Sequence, residues 1–334
     1  MPGDKDRASI LKGKEGLVFE LVCTGASQRQ WSQRMRPPLE YASLAGNHEL
    51  VEKLLLAGAD GSAGWRGNDG RTLLDAAAEG GNGHVVSTLL RAGAAPDING
   101  PTPNTQWMAL HRAAFGGHEA AAKTLMMVGA NVNSPDIGGN GSLHLAVEGG
   151  YGRPVDDMLL SGANPMALNA EGDKPIHVAA FRVHSTIVHS LLQRGAPKNE
   201  LNRKGFRPLH LAAGRGGVAT TKVLPIAGAN LDRAEAGGLA PLHVATMENK
   251  LGPVRVLLEF GPDVEVRNNR NDTPLHLAAY HGSCEAMLVL LQNGANVHVD
   301  DQRGRQPLMK ATWGVKPDTV DLLLRWKADE TVAD

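Results

Sequence analysis

One phrase, close to Pro-Leu-His-Leu-Ala-Ala, returns nine times along the 334 residues of this chain. Its proline slot falls at Pro38, Leu73, Ala109, Ser142, Pro175, Pro208, Pro241, Pro274 and Pro307, spaced 35, then 36, then six times 33 residues. A fixed period of this size means one small supersecondary unit stacked in a row, because a unit so short cannot bury its apolar face alone. A chain of this length would otherwise suggest two or more globular domains. In a stack, contacts run between neighbours, so length counts units and not cores.

The eighth unit shows how the phrase folds. Thr273 is a suitable N-cap and Pro274 a suitable first helical residue, since its fixed φ fits there and its missing N–H is not needed. Leu275, Ala278 and Ala279 share one helical face, and the small alanines admit a second helix closely. Gly282 turns the chain, and a second helix is predicted from Cys284 to Gln292, with Met287, Leu288, Leu290 and Leu291 packing on the first. Gly294 follows where positive φ is required. An extended stretch, Val297 to Val299, then leads to a turn at Gly304.

This pattern resembles the ankyrin repeat, whose signature is Thr-Pro-Leu-His-x-Ala at the same period. The resemblance implies an α-rich solenoid of about nine stacked units, each a helix-turn-helix followed by a β-hairpin finger. The units start near 37, 72, 108, 141, 174, 207, 240, 273 and 306 and span 36–327. Residues 1–35 would then form an N-terminal segment with a capping helix at 17–23, and 328–334 a tail. Several units depart from the family. The capping Thr survives only at Thr72 and Thr273, and each lost cap is expected to cost about 1 kcal/mol. Pro225 falls in the last turn of a second helix and is expected to distort it. Stability should therefore be uneven, with softer stretches at 99–165 and around 220–230.

Composition excludes more than it assigns. A formal net charge of −1 gives no general attraction to nucleic acid or anionic membrane. No apolar run serves as a signal sequence or a membrane span, and Cys23 and Cys284 are too far apart in a linear stack to pair. The expectation is an intracellular monomer, cytoplasmic or nuclear, in which the sequons at Asn140 and Asn271 are accidental. His111, His144, His177, His210, His243 and His276 occupy one repeat slot. In the family this imidazole is a structural hydrogen-bonding group, and stacking would hold successive rings about 10 Å apart, far from the ~2 Å convergence zinc needs. His48-Glu49 lacks a second His at position 52, no phosphate-binding Gly-Lys-Ser/Thr loop occurs, and neither cysteine has a Cys-x-x-Cys partner. No enzyme, metal or cofactor is expected.

What remains is the set of positions the stack does not need. In ankyrin-like proteins the two residues after Ala-Ala and the finger tips line a concave surface. Here those first-helix slots hold Phe115, Phe181, Arg182, Arg215, Met247, Tyr280 and Trp313, and the tips bring Arg203, Arg267, Arg270 and Arg303. Aromatic and arginine side chains supply interface anchors. The implied function is a protein-interaction scaffold or adaptor binding an acidic or acidic-amphipathic segment. An inhibitory subunit of an enzyme or transcription factor, or the targeting part of a larger catalytic protein, are the alternatives.

Overall fold

The computed structural model describes residues 38–328 apart from 62–65, 68, 96 and 97. The N-terminal segment 1–35 with its expected capping helix, and the tail beyond Ala328, lie outside the described residues. The described helices come in pairs, and the first helix of each pair starts at a marker position. They fall into two compact units divided between Asn169 and Ala170.

The first unit holds α1 (Pro38–Leu44), α2 (His48–Leu56), α3 (Leu73–Gly80), α4 (Gly83–Leu89), α5 (Ala109–Phe115), α6 (Glu119–Met127), α7 (Ser142–Gly149) and α8 (Gly152–Leu160). The second holds α9 (Pro175–Phe181), α10 (Ser185–Gln193), α11 (Pro208–Gly214), α12 (Val218–Ile226), α13 (Pro241–Met247), α14 (Leu251–Glu259), α15 (Pro274–His281), α16 (Cys284–Gln292), α17 (Pro307–Trp313) and α18 (Pro317–Arg325). Within each unit, first helices pack on first helices and second on second.

The alternation of Leu and Ala produces this core directly. Leu275, Ala278 and Ala279 are fully buried on α15, and Met287, Leu290 and Leu291 of α16 close over them. Leu288 does not join them and is 37% exposed. Met287, Leu290 and Leu291 follow i, i+3, i+4, and Leu288 lies about 100° off that stripe.

Three local expectations need correction. The fingers contain no strand among the described residues. Residues 297 and 298 form a turn, and the finger that follows is closed by two backbone bonds, Asp301 N–H to Arg305 O and Gly304 N–H to Asp301 O, each at 3.0 Å. Asn and Asp side chains supply the rest, as where Asn268 Oδ1 accepts from the amides of Arg270 and Asp272. Neighbouring fingers share single backbone bonds, such as Gln302 N–H to Arg270 O, too few to make a ladder.

Pro225 does not shorten its helix. α12 runs nine residues, as α10 does, and ends on the same bonds, with Ala229 N–H reaching Leu224 O. A proline so near the end removes one bond whose loss the exit turn tolerates.

The absent threonine caps are largely replaced. The Nδ1 atoms of His111, His144, His177, His243 and His276 accept the N–H of Met108, Gly141, Lys174, Ala240 and Thr273 at 3.1–3.3 Å. This is half of a capping box, with imidazole at N3 in place of Glu. Thr273 itself lies within 2.9 Å of His276 Nδ1 through its hydroxyl, and that hydroxyl makes no cap to the helix amides. Thr72 forms the full box, with Asp75 at N3.

Candidate functional site

The repeat histidines are the most numerous candidates for chemistry. Because Nδ1 accepts a backbone N–H, the proton sits on Nε2, which donates to Ser134 O, Glu200 O, Asp272 O and Arg305 O in His111, His177, His243 and His276. Burial pushes these imidazoles, and that of His210, below their usual value, to about 4 for His210 and His243. His111, His177, His243 and His276 are neutral struts tied at both ends, whereas His210 is tied through Nε2 to Leu239 O alone and its Nδ1 has no partner among the described residues. Among the described residues no group of His, Cys, Asp and Glu is placed to hold a metal ion. Cys284 is a free thiol that burial pushes up, away from the reactive thiolate.

In the second unit the first helices and fingers form a groove of about 450 Å³. Met247, Tyr280 and Trp313 line it together with Leu239 and Leu277, and Arg270 stands at its finger edge. These come from α13, α15 and α17 and from the intervening fingers. Trp313 is 63% exposed and Tyr280 44%, so the aromatic surface is open to a ligand.

Asp272, Arg305 and Lys310 line the same groove and belong to a charged cluster. Lys310 Nζ sits 2.6 Å from Asp272 Oδ1 and 2.8 Å from Asp301 Oδ2, and Arg305 Nε donates to Asp301 at 2.7 Å. Burial alone would raise the Asp301 carboxyl, but hydrogen bonds from Arg305 and Lys310 outweigh it and hold it well below the usual range. The Arg305 guanidinium also lies over the Trp313 ring at 4.7 Å. Trp313 is thus held from one side by a group itself fixed in the cluster. Arg270 and Arg303 make no ion pair among the described residues, and Arg267 donates to the Asp300 carbonyl.

Phe181, Arg182 and Arg215 form a separate group. Arg215 stacks on Phe181 at 3.7 Å and Arg182 approaches the same ring at 5.9 Å. Arg203 reaches back to the Ala170 carbonyl from an exposed tip. None of these lines the groove.

Phe115 belongs to the first unit. Its ring packs on Trp107 at 5.3 Å, and Arg112 lies over Trp107 at 5.7 Å. A wider recess of about 620 Å³ in this unit is lined by Gly80, Gly81, Gly83, His84 and His118 at the helix turns. It offers no aromatic anchor, so it is the weaker docking candidate.

The near-zero charge of the chain conceals a division. Residues 38–169 hold seven Lys and Arg against thirteen Asp and Glu, a net of −6, whereas residues 170–328 hold twenty against fifteen, a net of +5.

No described helix is long and apolar enough to cross a membrane. A search of curated proteins returned no match. A family model described as ankyrin repeats (3 copies) matches residues 11–136, 143–235, 219–301 and 242–334. Among solved structures, the human ASB11 ankyrin repeat domain is similar at 31% identity and a TM-score of 0.60, covering 67% of this chain and 99% of that one. The ankyrin repeat domain of Bcl-3, a member of the IkappaB protein family, is similar at 27% identity and a TM-score of 0.58, covering 68% and 99%. Ankyrin repeats as a family mediate protein–protein interaction. With the period, the paired helices and the family model all agreeing, the chain belongs to the ankyrin repeat family.

Proposed function

We propose that the chain is a non-catalytic interaction scaffold or adaptor, and that the groove of its second unit holds an acidic or acidic-amphipathic segment of a partner protein. The observation that carries this reading is the meeting of exposed Trp313 and Tyr280 and half-buried Met247 with Arg270, a cation without a carboxylate partner among the described residues. Aromatic anchors bury large apolar area at low entropic cost, and an unpaired arginine at the rim favours a carboxylate over a neutral group. The net of +5 across residues 170–328 steers the same class of ligand. Phe181 with Arg182 and Arg215, and the tips Arg203, Arg267 and Arg303, extend the basic character beyond the groove.

Affinity purification from lysate followed by mass spectrometry, comparing wild type with Tyr280→Ala/Trp313→Ala, tests the reading. The paired substitution is expected to deplete the captured partner at least tenfold, a loss of about 1.4 kcal/mol or more. Equal capture by a variant whose circular dichroism is unchanged would contradict it.

A further inference from the structure

The first unit has its own arrangement of aromatic and charged groups, with the opposite sign. Arg112 lies on α5 and is buried; its Nε donates to Asp75 Oδ1 at 3.2 Å and its Nη1 to Glu79 Oε2 at 3.4 Å. Arg71 Nη1 donates to the same Glu79 oxygen at 2.7 Å. Both arginines are therefore spent internally, and Glu79 Oε1 has no partner among the described residues. Trp107 is held as firmly. Its indole N–H donates to Asp136 Oδ2 at 3.0 Å, Arg112 covers one face, and Phe115 packs at its edge at an interplanar angle of 55°. Phe115, one turn beyond Arg112 on α5, is left 55% exposed with nothing stacked on its outer face among the described residues.

We propose that this face of the first unit is a second docking surface, which takes a basic, arginine-bearing segment of a partner protein. A guanidinium can lie flat on Phe115 and direct its edge N–H groups at a carboxylate, which a lysine ammonium does less well. Glu79 Oε1 is available beside Arg112, whose neighbours include both Glu79 and the Trp107–Phe115 pair. The net of −6 over residues 38–169 draws a cationic segment and repels the acidic one assigned to the second unit. The surface shares no residue with the second-unit groove, so the two proposals stand or fall separately.

The test is to pan a random-peptide phage library on the full-length protein and measure synthetic versions of the enriched peptides by fluorescence anisotropy. An enriched class combining arginine with apolar residues is expected. Its peptides should lose roughly tenfold in affinity on Phe115→Ala and on Glu79→Gln, and keep their affinity on Tyr280→Ala. Hydrogen exchange of the unmodified protein with bound peptide should show protection in α3 and α5 and none in α15 and α17, which covers the case of a variant that fails to fold. The proposal is overturned if no basic class is enriched, if such peptides bind the Phe115→Ala protein as they bind wild type, or if protection appears in α15 and α17 instead.

Discussion

Arg112 in the first unit and Lys310 in the second occupy the same repeat position, three residues into a first helix, where Leu145, Val178, Leu211, Val244 and Leu277 stand in the repeats between. Each places a buried cation against an aspartate of the stack, Asp75 or Asp272, and each has a tryptophan stacked by an arginine close by. The surroundings differ. In the first unit Arg71 and Arg112, the arginines beside the tryptophan, are consumed by Asp69, Asp75 and Glu79. In the second, Arg270 and Arg303 remain without a carboxylate among the described residues. A buried ion pair adds little net stability, since desolvation offsets its attraction. What it supplies in both units is a fixed base for exposed aromatic side chains, and the surrounding charge then selects the ligand.

Acid should separate the two units most. The buried histidines titrate below their unfolded value, so between about pH 6.5 and 4 the unfolded chain binds more protons, and stability present above pH 6.5 is lost as pH falls through that window. His177, His210, His243 and His276 all lie in the second unit, with His210 and His243 alone worth on the order of 3 kcal/mol each. In the first unit His111 acts in the same sense, but burial raises the Asp75 carboxyl, which favours the folded state as pH falls. Native-state hydrogen exchange at pH 7 and pH 5, corrected for intrinsic rates, should show larger losses of protection in α9–α16 than in α3–α8. Equal losses would remove this distinction.

Removing the buried cations ranks next. Arg112→Leu leaves Asp75 without its partner and should cost about 3 kcal/mol, as should Lys310→Leu for Asp272 and Asp301. Leucine suits the position sterically, as Leu145 and Leu277 show, so urea denaturation reports the lost charge and not a clash. Asp75→Asn/Arg112→Leu should recover most of the loss; failure to recover would mean that Arg112 acts through packing. The smallest effect concerns the turns between paired helices. The first unit uses Gly46, Gly81, Gly117 and Gly150 at positive φ, whereas the second uses Gly216, Asn249 and Gly282 at three of its turns and forces Val183 to +58° and Val315 to +52° at the other two. Val315 is 82% exposed, so Val315→Gly relieves left-handed strain without emptying a core and should gain about 0.5–1 kcal/mol after the entropic cost of glycine. A raised thermal midpoint for the second unit is the expected readout.

The helices were legible because six of the nine first-helix starts carry one local signal, a proline or small residue followed by histidine at N3, repeated often enough to fix the register. The resemblance makes these histidines structural hydrogen-bonding groups, and they also stand in for the missing threonine caps. The spacing of cap position and His111, or Lys174 and His177, already contained the capping-box interval, with imidazole in an unfamiliar role. The fingers differ from the hairpins that the resemblance implies because many of their hydrogen bonds go to Asn and Asp side chains. At the candidate sites, Trp313 and Tyr280 were found as free slots. Arg112 and Lys310 were missed because they sit where the pattern asks for an apolar residue, and that departure was the available signal. Trp107 lies two residues before its helix, in the slot that Arg71, Asn140, Phe206, Asp272 and Arg305 fill elsewhere, where no repeated residue type marks it.

The central claim is that a partner meets the face bearing Tyr280 and Trp313. Placing a photo-crosslinking amino acid at Trp313, and in a separate protein at Leu288 on α16, exposed but outside the groove, tests it directly. Crosslinked partner from position 313 and none from 288 is the result this account predicts. Crosslinking from 288 alone, or equally from both, would contradict it.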